Sequence, residues 1–171
     1  MSTGIVQVDV GDKGRLYAEL ETQLRGLLAG ERDPWANAAN AAALLFLQLP
    51  DINWAGVYFL RGGELVVGPF QGKPACVRIP LGRGVCGTAA AERRTLLVRD
   101  VHAFEGHIAC DAASNSEIVV PMIRDGRLVG VLDLDSPLHA RFDEADGAGL
   151  ERVAALISGG CDWKLAGIDG F

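Results

Sequence analysis

Ile118-Val119-Val120-Pro121-Met122-Ile123 leads through Arg124-Asp125-Gly126-Arg127 into Leu128-Val129-Gly130-Val131-Leu132-Asp133-Leu134-Asp135. Two apolar, β-branched runs joined by Asp-Gly predict an antiparallel hairpin, because that dipeptide accepts the positive φ angles of a tight two-residue turn. The two-residue period of the second run puts Asp133 and Asp135 on one face with Val131. Leu132 and Leu134 then point to the opposite, core face. Aspartate is depleted in strands and costly to bury alone, so two acids side by side in such a run suggest a site.

Working back towards the N-terminus, Arg99 to Ser116 reads as a loop long enough to imply a function. It carries Gly106-His107-Ile108-Ala109-Cys110-Asp111 and ends at Glu117, where the hairpin begins. Cys110 has small, polar or ionisable neighbours rather than the apolar surroundings of an inert packing thiol, which makes it the leading nucleophile candidate. If Glu117 comes from the strand beside Asp133 and Asp135, three acids converge. Close like charges cannot all ionise, so at least one keeps its proton and becomes a general acid next to a thiol.

Further upstream, Trp54, Gly56, Tyr58 and Leu60 alternate with Ala55, Val57 and Phe59, a strand whose Trp54 and Tyr58 share a face around Gly56. The turn Arg61-Gly62-Gly63-Glu64 returns it along Leu65-Val66-Val67-Gly68-Pro69. Ala75 to Pro80 and Thr95 to Val98 read as short strands, with a short helix from Gly84 through Ala91 between them. Two helices precede the sheet. One spans about Arg15 to Ala29, with Leu16, Leu20, Leu24 and Leu27 in one stripe. The next starts at Asp33-Pro34 and stops at Pro50, and is the more apolar of the two. Asp143 caps a closing helix with Leu150, Val153, Ala154 and Ile157, which Gly159-Gly160 is expected to break. The class is α+β: one domain over residues 15–158, a central antiparallel sheet with helices mainly on one face and ligand loops on the other. Residues 1–14 form an N-terminal extension and 159–171 a C-terminal tail.

Bulk properties restrict the partners. The chain of 171 residues is 49% apolar and 22% charged, with a net charge of −6. Such a chain can build a core, and it lacks the basic patch that nucleic acid or an anionic membrane requires. The N-terminus has no signal-peptide pattern, and the longest apolar stretch, Ala41 to Leu47, is too short to span a bilayer. A cytoplasmic protein is expected. In that compartment four cysteines without a CxxC pair (Cys76, Cys86, Cys110, Cys161) read as free, metal-binding or redox thiols rather than a structural disulfide framework. Cys86 is expected to gain acidity at the helix Gly84 starts, and either Cys76 or Cys86 could resolve an oxidised Cys110. His102, His107 and Cys110 match no standard zinc spacing, so no metal is expected. Gly82-Arg83-Gly84 lacks the lysine of a phosphate loop and reads as a turn.

Six motifs in order resemble one family. They are Asp51-Ile52-Asn53-Trp54-Ala55-Gly56-Val57-Tyr58, Gly68-Pro69-Phe70-Gln71-Gly72-Lys73, Ala75-Cys76-Val77-Arg78-Ile79-Pro80, Gly82-Arg83-Gly84-Val85-Cys86-Gly87-Thr88, Gly106 to Asp111 with Ala113-Ser114-Asn115-Ser116-Glu117, and Gly130-Val131-Leu132-Asp133-Leu134-Asp135-Ser136. Together they resemble the free methionine-(R)-sulfoxide reductases, which are built on a GAF domain. The likeness implies reduction of free methionine-R-sulfoxide, with no bound cofactor and with thioredoxin as reductant. By position it implies Cys110 as catalytic cysteine, Cys76 as the cysteine that attacks its sulfenic acid, and Cys86 as a third cysteine able to serve as alternate partner. It further implies Glu117, Asp133 and Asp135 as the acids that bind and polarise the substrate, and Trp54 and Tyr58 as an aromatic wall. The fold is compatible with a homodimer. The alternative is a GAF domain that senses a small molecule or redox state without chemistry, although its acids would repel a nucleotide phosphate. A thiol peroxide sensor would need the cysteines and not the acids.

Overall fold

The expected hairpin lies at the centre of the computed structural model, which describes residues 11–106 and 112–168. Its strands are β5 (Ser116–Arg124) and β6 (Arg127–Ser136), and Asp125 and Gly126 both take positive φ, 50° and 76°. The earlier strands are β1 (Trp54–Arg61), β2 (Glu64–Gly72), β3 (Arg78–Pro80) and β4 (Leu96–Val98). They join the hairpin in one six-stranded sheet of order β3-β2-β1-β6-β5-β4. Every pairing is antiparallel. Pro121 sits inside β5 because β4 pairs only as far as Val119, so the missing N–H is not needed there.

The register determines which residues meet. Trp54 lies opposite Asp135, and Asp135 opposite Glu117, giving one row across three strands. Gly56 lies opposite Asp133, and Asp133 opposite Val119, in the next row; Tyr58 lies opposite Val131 in the third. Directly opposed residues share a face. Sequentially distant acids and aromatics are therefore brought onto one side of the sheet.

The other side is covered by α1 (Lys13–Leu28), α2 (Pro34–Gln48) and α4 (Glu144–Gly160). Leu16, Leu20 and Leu24 of α1, Leu44 and Leu45 of α2, and Leu150, Val153 and Ile157 of α4 bury against Val57, Phe59, Leu132 and Leu134. Each helix starts at an aspartate whose side chain accepts backbone N–H groups: Asp12, Asp33 and Asp143. Asp146 completes a capping box with Asp143. It is fully buried, and accepts from the Tyr17 hydroxyl (2.9 Å), Lys13 Nζ (2.6 Å) and the Arg141 guanidinium (3.3 Å). None of the described helices is long and apolar enough to cross a membrane.

Three details depart from expectation. Helix α4 runs through Gly159 to Gly160, with Cys161 as its C-cap, because the apolar face of the preceding turns is already docked and packing outweighs glycine's weak helix propensity. The strand expected from Ala75 pairs only over Arg78–Pro80, leaving the segment between Pro74 and Val77 as a loop. The site face is not left open to the loops alone. It carries helix α3 (Gly84–Glu92), whose Val85, Cys86, Ala89 and Ala90 form a second apolar cluster with Trp54, Tyr58, Ile79, Leu96, Val119 and Val131. After α4 the chain packs back on the main core through Trp163, edge-on to Phe59 at 5.8 Å.

Candidate active site

Between the sheet and α3 lies a pocket lined by Trp54, Tyr58, Ile79, Val85, Cys86, Glu117, Asp133 and Asp135, with Pro74, Ala75, Arg83, Gly84 and Ser114 around them. The expected acids and aromatics thus meet at one place. Trp54 stacks on Tyr58 (centroids 5.8 Å apart, 27° between planes) and on Phe70 (5.3 Å, 17°). Its indole N–H donates to the Lys73 carbonyl at 3.1 Å, which fixes the ring. Gly56 makes this ladder possible: a Cβ there would come within 2.4 Å of the Phe70 Cβ and 2.6 Å of the Trp54 ring. Trp54 and Tyr58 are buried core residues that also line the pocket.

The acids are more deeply placed than a strand-face reading suggests. Glu117 is 6% exposed and Asp133 5%, while Asp135, near the strand end, is half-buried. Burial, then the neighbouring Asp133 and Asp135 charges, push the Glu117 carboxyl well above the ordinary carboxylate range. Burial also raises Asp133 to about 7, against the opposing effect of hydrogen bonds from Cys86 and Glu117. Glu117 and Asp133 therefore hold at least one proton between them at neutral pH, in a shared hydrogen bond. The Tyr58 hydroxyl is driven up too, by burial first and then by Asp133, and stays protonated. Asp133 Oδ1 has no hydrogen-bond partner among the described residues.

Cys86 departs from expectation. Its Sγ lies 3.8 Å from Glu117 Oε1. The thiol is pushed well up by burial, with the Asp133 and Glu117 charges adding to it, so the helix start does not acidify it. Two nearby carboxylates and loss of water outweigh a helix-terminus effect worth about 1 kcal/mol. Cys76 is half-buried in the loop next to pocket-lining Ala75, and is disulfide-bonded; Cys86 and Cys161 are free thiols. Cys161 is buried on the opposite face of the sheet, where Asn37 Nδ2 approaches its sulfur at 3.5 Å. Cys110 and His107 fall outside the described residues. His102 Nε2 pairs with Asn115 Oδ1 at 3.1 Å.

Three comparisons with known proteins bear on this pocket. A GAF domain model matches residues 36–160. The chain is 54% identical over 146 residues to free methionine-R-sulfoxide reductase of Escherichia coli, covering 85% of this chain and 88% of that one. With the enzyme of the same name from Saccharomyces cerevisiae it shares 42% identity over 161 residues, covering 90% and 89%. The solved structure of free methionine-R-sulfoxide reductase from Neisseria meningitidis in complex with its substrate superposes with a TM-score of 0.89 at 43% identity, covering 96% of this chain and 99% of that one. This chain belongs to the GAF-domain family of free methionine-R-sulfoxide reductases.

Within that GAF domain, two pocket residues were not singled out for chemistry from the sequence. Arg83 was read as part of a turn, and it is the cation among the pocket's lining residues; only its place between two glycines at a helix start hinted at this. Ser114 is held by Asn53, whose Nδ2 donates to its Oγ at 3.1 Å. Nothing in their local spacing pairs residues so far apart in the chain.

Proposed function

We propose that this protein reduces free L-methionine-(R)-sulfoxide to L-methionine. The observation that carries the reading is the buried Glu117–Asp133 pair, holding a proton beside the Trp54–Tyr58 wall. A sulfoxide sulfur becomes electrophilic when its oxygen is protonated, and a neutral carboxylic acid supplies that proton; such catalysis is typically worth about 10²–10⁴-fold. The Cys110 thiolate then attacks the sulfur. The sulfoxide oxygen ends on cysteine as sulfenic acid, and methionine leaves as the thioether. Attack by Cys76 on the sulfenic acid expels water and forms a disulfide, which thioredoxin returns to two thiols. The disulfide-bonded state of Cys76 at the pocket, with Cys86 and Cys161 free, supports this sequence.

The remaining acid charge, Asp135 foremost, holds the substrate's ammonium group, and Arg83 receives its carboxylate. Trp54 and Tyr58 pack against the S-methyl end. A free amino acid satisfies both charges, whereas a peptide-bound methionine sulfoxide has neither. We place the reaction in the cytoplasm, where thioredoxin keeps thiols reduced.

The test is NADPH oxidation coupled through thioredoxin and its reductase. Cys110→Ser abolishes turnover, while Cys76→Ser yields one equivalent of methionine per chain and then stalls. Sustained turnover by Cys110→Ser contradicts the mechanism. Stoichiometric ligand binding without turnover by the unaltered protein would instead support a sensor.

A further inference from the structure

The acid pair and Cys86 have a geometry that the reductase chemistry does not call for. One donor atom from each of Cys86, Glu117 and Asp133 lies within 4.8 Å of the others. The Cys86 Sγ···Glu117 Oε1 separation is 3.8 Å. A tetrahedral zinc ion with sulfur at about 2.3 Å and oxygen at about 2.0–2.2 Å sets those atoms about 3.5 Å apart. The three side chains come from α3, β5 and β6, elements locked by the sheet and its second apolar cluster, so the donors are pre-arranged. A second observation points to a ligand. Asp133, one of the pocket-lining residues, is only 5% exposed, and its Oδ1 has no hydrogen-bond partner among the described residues. An orphaned, buried carboxylate oxygen is costly unless something positive reaches it.

We infer that Cys86, Glu117 and Asp133 form a binding site for a thiophilic divalent cation of the zinc class, with the pocket supplying a fourth, open position. The donor set selects the ion. Thiolate favours zinc over magnesium or calcium, which prefer six or more oxygens or a mostly hydrated shell. Binding displaces the Cys86 thiol proton and the proton shared by the two acids to solvent, and no electron moves. The ion then occupies both carboxylates, which removes the proton donor and fills the floor of the substrate site. Zinc is accordingly a reversible inhibitor that competes with substrate rather than a cofactor.

Other thiols would confuse the test, so it uses full-length protein carrying Cys76→Ser and Cys110→Ser, which keeps Cys86 and both acids. This background cannot cycle as a reductase, so a failure of the metal site and a failure of the reductase reading are separable. Cobalt(II) is the probe, followed by its absorption and by equilibrium dialysis. We expect one equivalent per chain with a thiolate-to-cobalt charge-transfer band, displaced by zinc and unaffected by magnesium. Adding Cys86→Ser removes the band. Asp133→Asn, which preserves shape, weakens binding by at least about tenfold and decides the matter if the serine variant does not fold. Absence of a thiolate band, or a band that survives loss of Cys86, overturns the site.

Discussion

Asp133 carries opposing demands on stability and chemistry. Its carboxyl is raised from 3.8 to about 7 by burial. Below the unfolded value both states are protonated and there is no penalty. As pH rises from there, the unfolded chain releases its proton first, so stability falls until the folded group ionises near pH 7. Asp133→Asn stays neutral throughout. It is expected to melt several degrees higher than the parent at pH 8, an advantage that vanishes near pH 4, as a calorimetric pH series would show. The same change removes part of the proton donor, lowering single-turnover reduction by about 10²-fold or more and moving the parent's alkaline fall in rate to one that follows Glu117 alone. Equal stability at both pH values would mean that the folded carboxyl is not perturbed. Arg83→Ala should raise KM for substrate far more than it lowers kcat if this pocket-lining cation receives the substrate carboxylate, as proposed, and has no part in the chemistry at sulfur. At this scale the sequence was informative where period alone decides, as with Asp133 and Asp135 on one face. Cys86 was misjudged because its acidity depends on burial and on two acids distant in the chain.

Helix α3 forms the pocket's second wall, and its position is set by one close approach. A Cβ on Gly87 would stand 2.3 Å from the Pro80 carbonyl oxygen, a backbone atom that has no rotamer to escape into. Gly87→Ala should push α3 off β3, costing about 1–3 kcal/mol in urea denaturation. Cys86, one residue earlier, moves away from Glu117 with it, and activity per folded molecule drops. Retained activity at normal stability would show that α3 is free to shift without consequence. The hairpin and the helix starts were readable because their signals are local: Asp125-Gly126, Asp33-Pro34 and Asp143. The truncated β3 was not, since where pairing stops depends on the partner strand. The persistence of α4 through Gly159-Gly160 was hidden for the same reason, as docking decides it.

Across the whole molecule, the acidic pocket and the main core lie on opposite faces of one sheet, and a separate buried charge ties the core side together. Asp146 joins α1 through Tyr17 and Lys13 to α4 and to Arg141. Gly149 lets the Tyr17 ring lie against α4, where a Cβ would be 2.2 Å from it. Asp146→Ala leaves the buried Arg141 guanidinium with the Pro50 carbonyl but no carboxylate, and should cost about 3–5 kcal/mol. The folded fraction should keep its kcat, because the pocket face is untouched; a large kcat loss at full folding would mean that the two faces are coupled. The α+β class and antiparallel sheet followed from the order of patterns along the chain. The covering of both faces did not, because α3 is too short and uniformly small-sided to announce which side it packs on.

The proposed reaction requires a charged, free amino acid to meet a protonated acid pair. The most direct measurement is methionine formed by the reduced protein from free L-methionine-(R)-sulfoxide, the S epimer and N-acetyl-L-methionine-(R)-sulfoxide, each at equal concentration with thioredoxin recycling. Turnover of the free R form alone is expected. Equal rates with the acetylated form would contradict it, since that substrate has no ammonium group for the pocket's carboxylates to hold.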